Sequence, residues 1–255
     1  MIEYQDVWKR FEHPVLTGVD LRVNTGEIAS IVGPSGTGKS VLLKTTIGLI
    51  RPDRGRVVVD GEVVDPSDAS SIGRLREKAA YVFQNAALFD SMSVFDNVLQ
   101  GLPQERVRGL DRRSQARLVG EALEHVNLEP ARVLARFPAE LSGGMRKRVG
   151  IARAIVGEPS ILLYDEPVTG LDPVNADVIH ELITRLARDL SATSILVTHD
   201  VEGALAISNH VALLSGGRIR FVGTPQEFKY SDNSQVRAFT DRRIAGTYTE
   251  EAQGR

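Results

Sequence analysis

The residues best suited to chemistry lie in the octamer GPSGTGKS at positions 33–40. This string fits the phosphate-binding pattern G-x-x-x-x-G-K-[ST]. The backbone N–H groups of such a loop point inward at phosphate oxygens, and the following helix adds partial positive charge at its N-terminus. Lys39 would bridge the β- and γ-phosphates, and the Ser40 hydroxyl would hold Mg²⁺. The residues predicted to bind a nucleoside triphosphate here are Gly33, Pro34, Ser35, Gly36, Thr37, Gly38, Lys39, Ser40 and Val41.

The sequences on either side supply the elements that must position this loop. The apolar run 28–32 predicts a buried strand before it, and Leu42, Leu43 and Ile47 have the spacing of a helix after it. A glycine-rich turn with an incidental lysine is the alternative. Such an octamer arises by chance in roughly 1 of 100 chains of this length, and the strand and helix around it lower that frequency further.

Two carboxylates follow another short apolar run. The string ILLYDE at 161–166 predicts a buried strand that carries Asp165 and Glu166 to its C-terminal tip. Ligands of open α/β sheets bind at this edge. One carboxylate could hold Mg²⁺, and the other could polarise an attacking water as a general base. Taken without the phosphate loop, the same pair could be a solvated acidic turn.

Two other polar residues end apolar runs in the same way. The string SILVTH at 194–199 predicts a third buried strand, and His199 at its tip could contact the γ-phosphate. Gln84 follows the run 81–83, and its amide can ligate a metal or bind water. Taken alone, the histidine reads as structural and the glutamine carries little information.

A serine and two glycines form the centre of the string LSGGM at 141–145. Ser142 is a natural N-cap for the helical pattern that runs on to Val156. Gly143 and Gly144 would let the backbone approach a phosphate closely. A flexible helix start without a ligand is the alternative.

In this order the motifs resemble those of ABC-transporter ATPases over about the first 225 residues. The resemblance implies that Glu166 is the general base, that Asp165 helps to hold Mg²⁺ and that His199 contacts the γ-phosphate. Gln84 would act as a metal ligand and link the metal to the transport partner. Asp172, in the string TGLDP, would belong to a loop that communicates between subunits.

The resemblance also implies ATP and Mg²⁺ as cofactors and a second copy of the chain as partner. Ser142, Gly143 and Gly144 of one copy would close over the ATP bound by the other. Phe11 lies where the family often stacks an aromatic ring on adenine; an ordinary core phenylalanine is the alternative.

A closer resemblance is to the ATPases of Mla/Mce-type lipid transport systems. It rests on FQNAALFDSMSVFDNV at 83–98, on Met145 where most ABC ATPases have glutamine, and on QVRAFTDRR at 235–243. It implies an integral-membrane permease and an Mce-domain substrate-binding protein as partners, which would handle the lipid. Three other interpretations stay open: transport of another solute such as an amino acid, a non-transport ABC ATPase switch, and a nucleotide kinase that uses the same loop.

Composition limits the remaining classes of function. The chain has 255 residues, of which 42% are hydrophobic, and a formal net charge of −2, which gives no support for a nucleic-acid partner. It has no cysteine, which excludes disulfides and thiol catalysis. Its first residues lack an apolar signal segment, and it has no apolar run of about 18 residues. We therefore expect a cytoplasmic protein, held peripherally at the inner face of the cell membrane by its permease.

Alternating apolar runs and helical patterns predict the α/β class, with a P-loop NTPase (RecA-like) core, an antiparallel β edge and an inserted α-helical subdomain that carries the signature LSGGM. The core would comprise 1–85 and 157–225, and the helical subdomain 86–156. The tail 226–255 would contact a partner or be disordered. In the family, a groove beside the insertion receives a helix of the permease. The residues that could line it, or instead form helical core, are Leu88, Phe89, Met92 and Phe95.

Overall fold

The computed structural model describes residues 1–241, which form two β-sheets with helices packed against them. The strands are β1 (Ile2–Arg10), β2 (Pro14–Val23), β3 (Ile28–Val32), β4 (Arg54–Val59), β5 (Glu62–Val63), β6 (Ala79–Val82), β7 (Ile161–Asp165), β8 (Thr193–Thr198), β9 (His210–Ser215) and β10 (Arg218–Gly223). The α-helices are α1 (Lys39–Thr46), α2 (Ala69–Lys78), α3 (Val94–Leu99), α4 (Gln104–Arg108), α5 (Arg112–His125), α6 (Pro130–Val133), α7 (Gly143–Ile155), α8 (Pro173–Asp189), α9 (Val201–Ile207) and α10 (Pro225–Lys229). A 3₁₀ helix covers Pro138–Glu140, and residues 234–241 are helical.

The larger sheet has the strand order β10-β9-β3-β8-β7-β6. Its strands from β9 to β6 pair in parallel, and only β10 at one edge runs antiparallel. Every residue of β3, β7 and β8 is buried, as the apolar residues within them predict for parallel strands covered on both faces. Because these strands are parallel, their carboxyl ends meet at one edge of the sheet.

The smaller sheet is antiparallel, with the order β2-β1-β4-β5. Its β4–β5 hairpin turns at Asp60 and Gly61, which have φ angles of 49° and 84°. Positive φ at both central positions suits a tight hairpin turn. The predicted fold class, a P-loop α/β core with an antiparallel edge, is therefore confirmed.

Two large hydrophobic clusters lie on opposite faces of the larger sheet. Ile161 and Leu163 of β7 belong to the cluster shared with β1, β2 and α1. Leu162 and Tyr164 belong to the cluster shared with α3, α5, α7 and α8. Alternate side chains of one strand thus join the two layers of the domain.

Helices α3 to α7 lie between β6 and β7, in the interval where the sequence predicts the inserted subdomain. Phe95 is buried in its core, whereas the Phe89 side chain is 51% exposed. Phe95 therefore forms helical core and Phe89 is free to line a groove, which are the two alternatives that the sequence left open. None of the described helices is long and apolar enough to cross a membrane.

The first part of the predicted tail, 226–241, packs against the domain. Phe228 of α10 and Val236 of the helical stretch 234–241 are buried in a third cluster with residues of β3 and β9. Their apolar side chains make 226–241 part of the folded domain. The rest of the predicted tail, 242–255, lies outside the described residues.

Candidate nucleotide-binding site

The phosphate loop joins the end of β3 to the start of α1. Gly36 and Gly38 have φ angles of 78° and 97°, which side-chain-bearing residues rarely adopt. A Cβ on Gly33 would lie 2.1 Å from the carbonyl oxygen of Leu214, so only glycine fits there. The local backbone therefore requires glycine at all three positions.

The Lys39 ammonium is fixed inside this loop. Its side chain is 6% exposed, and Nζ donates hydrogen bonds to the carbonyl oxygens of Gly33 (2.9 Å) and Pro34 (3.1 Å). Burial lowers the pKa of Lys39, while Glu166 and Asp165 act to raise it. The ammonium is thus held where the predicted phosphate contacts need it, with little side-chain freedom to lose on binding.

Ser40 and Asp165 come together as predicted for a metal site. Ser40 Oγ donates to Asp165 Oδ1 at 2.6 Å, and Tyr81 Oη donates to Asp165 Oδ2 at 2.6 Å. A hydroxyl and a carboxylate are hard oxygen ligands of the kind that Mg²⁺ accepts, so this pair fits the predicted ion. Gln84, the third predicted ligand, is exposed and makes no side-chain hydrogen bond to either residue within 1–241.

Tyr81 was not predicted as a site residue. Burial and the bond to Asp165 raise its pKa, so it remains a protonated donor at neutral pH. The parallel register aligns Tyr81 with Leu163, two residues before Asp165. Since residues two apart in a strand share a face, strand pairing between β6 and β7 would have revealed this contact.

Glu166 and His199 lie side by side just beyond the tips of β7 and β8. Glu166 Oε2 is 2.6 Å from His199 Nδ1 and accepts a hydrogen bond from Thr169 Oγ1 at 3.1 Å. Glu166 has a φ angle of 51°, and its N–H donates to the Val197 carbonyl at 2.9 Å. This left-handed residue turns the chain away from the strand, a conformation that is common at functional sites. Its other oxygen, Oε1, is 3.8 Å from Lys39 Nζ.

The signature motif lies at the start of α7. Ser142 caps this helix by accepting a hydrogen bond from the Met145 N–H at 3.3 Å. Ser142 and Gly143 are exposed, and Gly144 is buried. Among residues 1–241, no hydrogen bond or ion pair joins 142–144 to the phosphate loop. The structure of one chain therefore does not bring these two predicted ATP-binding segments into contact.

Asp172 caps α8, and its partner Asn175 lies against Gly144 of α7. Asn175 donates to Asp172 from its N–H (3.1 Å) and from Nδ2 (2.6 Å), and these bonds lower the pKa of Asp172. A Cβ on Gly144 would lie 2.9 Å from Asn175 Oδ1. The two predicted intersubunit segments are thus neighbours within one chain.

Phe11 lies in the turn between β1 and β2 and is 55% exposed. The alternative of a core phenylalanine is therefore wrong. Lys9 Nζ lies 5.4 Å from the centre of its ring. An exposed aromatic ring of this kind can stack on a flat ligand.

A groove of about 1050 Å³ runs along β6 beside the inserted helices. Its walls include the exposed aromatic rings of Phe83 and Phe89 and the side chain of Arg153. Ala87, in the segment just after Gln84, also lines it. Tyr81, which donates to Asp165, also lines the groove, whereas Lys39, Glu166 and His199 do not.

A phosphate loop, two strand-tip carboxylates and a histidine on this sheet define a P-loop nucleotide-binding domain. The family model described as ABC transporter matches residues 16–169. The chain belongs to the ABC transporter family.

Curated relatives carry several transport names. The sn-glycerol-3-phosphate import ATP-binding protein UgpC 1 of Rhizobium johnstonii is 42% identical over 84% of this chain and 55% of its own length. The probable ribonucleotide transport ATP-binding protein mkl of Mycobacterium leprae is 37% identical over 96% of this chain and 70% of its own. The sulfate/thiosulfate import ATP-binding protein CysA of Rhodopseudomonas palustris is 41% identical over 88% of this chain and 63% of its own. The chain thus spans between half and three quarters of each.

Solved structures agree with the fold. MJ0796, solved as a dimeric bacterial ABC transporter cassette, has a TM-score of 0.79 at 28% identity over 88% of this chain and 99% of that chain. CbiO1 from Clostridium perfringens, part of the ABC transporter complex cbiONQ, has a TM-score of 0.78 at 28% identity over 98% of both chains.

Proposed function

We propose that this chain is the ATP-binding and ATP-hydrolysing motor subunit of an ABC transporter, and that it acts as a dimer of two copies. The observation that carries the proposal is the position of Glu166. One of its oxygens faces Lys39 at 3.8 Å, and the other contacts His199 at 2.6 Å. A carboxylate between a phosphate-binding lysine and a histidine is placed to act on water at the terminal phosphate.

In this mechanism the loop N–H groups and Lys39 bind the triphosphate, and Glu166 accepts a proton from the attacking water. His199 and Thr169 hold the Glu166 carboxylate in one orientation. Mg²⁺, held by Ser40 and Asp165 with Gln84 as a further proposed ligand, would neutralise phosphate charge. Positioning and electrostatic stabilisation account for most of the rate enhancement in phosphoryl transfer.

The second copy completes the site. Ser142, Gly143 and Gly144 are proposed to contact the ATP held by the partner's loop, and Asp172 to lie at the same interface. The exposure of Ser142 and Gly143 supports this, as does the dimeric structure of MJ0796 in a post-hydrolysis state bound to ADP and Pi. Phe11 is proposed to stack on the adenine.

The partner in the membrane is proposed to be an integral-membrane permease that inserts a helix into the groove beside β6. Two exposed phenylalanines in the groove walls, Phe83 and Phe89, support this, because aromatic side chains are enriched at protein interfaces. The chain would then be cytoplasmic and held at the membrane through this contact.

The cargo is proposed to be lipid, handled by the permease and an Mce-domain protein. The support is the string at 83–98, Met145 and the string at 235–243, which resemble Mla/Mce-type ATPases. The relatives are named for glycerol-3-phosphate, ribonucleotide and sulfate transport. Purification of the tagged chain from its host's membranes should yield a permease, an Mce-domain protein and phospholipid; a permease with another solute-binding protein would replace the lipid.

The hydrolytic function itself is tested on the purified chain. ATP with Mg²⁺ should release inorganic phosphate without any added acceptor, at a rate that rises more than linearly with chain concentration as dimers form. Transfer of phosphate to a nucleotide acceptor, with no release to water, would instead identify a kinase.

A further inference from the structure

The segment that follows β6 has an unfavourable backbone conformation. Ala86 and Ala87 have φ angles of 59° and 47°, so two consecutive residues with a Cβ adopt the left-handed region. Such residues normally visit this region singly, and glycine is the residue that tolerates it. Something outside the segment must hold it in place.

Helix α7 supplies three hydrogen bonds to this segment, from two residues that lie six positions apart on the helix. The Lys147 ammonium donates to the carbonyl oxygen of Gln84. The Arg153 guanidinium donates to the carbonyl oxygens of Ala86 (2.7 Å) and Ala87 (2.6 Å). Three charge-assisted hydrogen bonds from one helix thus reach three carbonyls of four consecutive residues.

Between the two cations, Gly150 lets the segment approach the helix. A Cβ on Gly150 would lie 2.9 Å from the Ala86 Cβ and 3.1 Å from its Cα. Lys147 itself is only 8% exposed, although a lysine is rarely buried without a partner. The burial of Lys147 and the lack of a side chain at Gly150 therefore both allow α7 to contact the segment.

We propose that Lys147 and Arg153 are positioning residues that clamp the segment 84–87 to the signature helix. The clamp holds Gln84 just beyond the carboxyl end of β6 and fixes the left-handed turn at Ala86 and Ala87. Residues 84–87 and α7 then shift together and not independently.

This clamp connects the groove to the signature motif. Ala87 and Arg153 line the groove, and Arg153 lies on the same helix that Ser142 caps. An occupant of the groove that displaces either residue acts directly on α7. This last step rests on the proposed function, whereas the clamp itself is a property of the free chain.

The clamp is tested first by hydrogen exchange on the full-length chain without nucleotide. Lys147→Met and Arg153→Met should each speed exchange of the amides in 84–89 about tenfold or more, because a hydrogen bond to a charged group is lost. Arg148→Met is the matched control: it removes a cation from the same helix, but that guanidinium donates to the Asn127 carbonyl. In Arg148→Met, the amides of 84–89 should exchange at the rate of the unmodified chain. Unchanged exchange in 84–89 for both test variants would overturn the clamp.

A second readout separates positioning from general loss of fold. In an ATPase assay, Lys147→Met and Arg153→Met should lower kcat about tenfold, as expected for a displaced catalytic geometry, with KM for ATP unchanged. Arg153→Lys can keep one of the two carbonyl bonds and should give intermediate values in both assays, even if the methionine variants fail to fold. A raised KM at native kcat would overturn the positioning role. Absence of turnover in the unmodified chain would refute the proposed function alone, since the exchange assay does not depend on it.

Discussion

Glu166 Oε2 and His199 Nδ1 are 2.6 Å apart, although 33 residues separate them in the chain. They meet because β7 and β8 are adjacent parallel strands and each residue directly follows its strand. The same oxygen also accepts bonds from Thr169 Oγ1 and from the His199 N–H. This arrangement leaves Oε1 to face the phosphate loop.

Glu166→Gln should bind ATP and barely hydrolyse it. The amide keeps the shape of the side chain and cannot accept a proton, so we expect turnover to fall by about 10²–10⁴-fold. Phosphate release measures the loss, and size-exclusion chromatography with ATP should show a trapped dimer. Glu202→Gln, at an exposed position on α9, is the control and should retain native turnover. Native turnover in Glu166→Gln would remove this residue from the role of base.

Lys39→Ala should weaken ATP binding. The substitution removes the buried ammonium that bonds to the carbonyls of Gly33 and Pro34 and faces the predicted phosphates. Calorimetric titration with ATP should show an affinity lower by about tenfold or more, because a charge-assisted contact is lost. Lys44→Ala, on the same helix outside the loop, should leave affinity unchanged. Equal affinities for all three proteins would contradict the loop assignment.

Gly150→Ala should destabilise the chain, although glycine to alanine inside a helix ordinarily stabilises by roughly 0.5–1 kcal/mol. The new Cβ would lie 2.9 Å from the Ala86 Cβ, so the segment must move away. Gly120→Ala in α5 is the matched control, because its Cβ would have only Pro130 within 4 Å, at 3.9 Å. Urea unfolding should show a lower midpoint for the first variant and an equal or higher one for the second. A higher midpoint for Gly150→Ala would show that α7 and the segment are not tightly packed.

His180 should make stability depend on pH. Burial lowers its pKa below the ordinary 6.5, while Asp200 and Asp177 act to raise it. The folded chain therefore binds this proton less readily than the unfolded chain, so the free energy of unfolding should fall as pH drops below about 6.5. His180→Gln should show a smaller fall between pH 7.5 and 5.5 in urea unfolding. His125→Gln, at an exposed helix end, should match the unmodified slope; an unchanged slope in His180→Gln would contradict the prediction.

The strands that depend on the local sequence pattern were predicted well. The apolar run 28–32 became β3 with the same bounds, and β7 and β8 lie where their apolar runs placed them. Strands that are buried on both faces are mostly apolar, so the ends of the apolar run indicate the ends of the strand. The strand-tip positions of Glu166 and His199 followed from the parallel sheet.

Contacts that depend on which elements are neighbours were not predicted. The bond from Tyr81 to Asp165 requires knowing that β6 pairs with β7. Phe89 and Phe95 are the same residue type six positions apart, and only tertiary packing decides that one is exposed and the other buried. Residues 226–241 fall in the predicted tail, yet Phe228 and Val236 are buried against residues of β3 and β9.

The difference in burial between the groove walls and the strand tips has a consequence for how such chains diversify. The groove is bounded by exposed side chains such as Phe83 and Phe89, whereas Asp165 lies on a strand enclosed by both cores. Exposed positions accept substitution at little cost in stability, and buried ones do not. Substitutions can therefore accumulate on the groove surface while the buried residues that hold the strand tips stay unchanged.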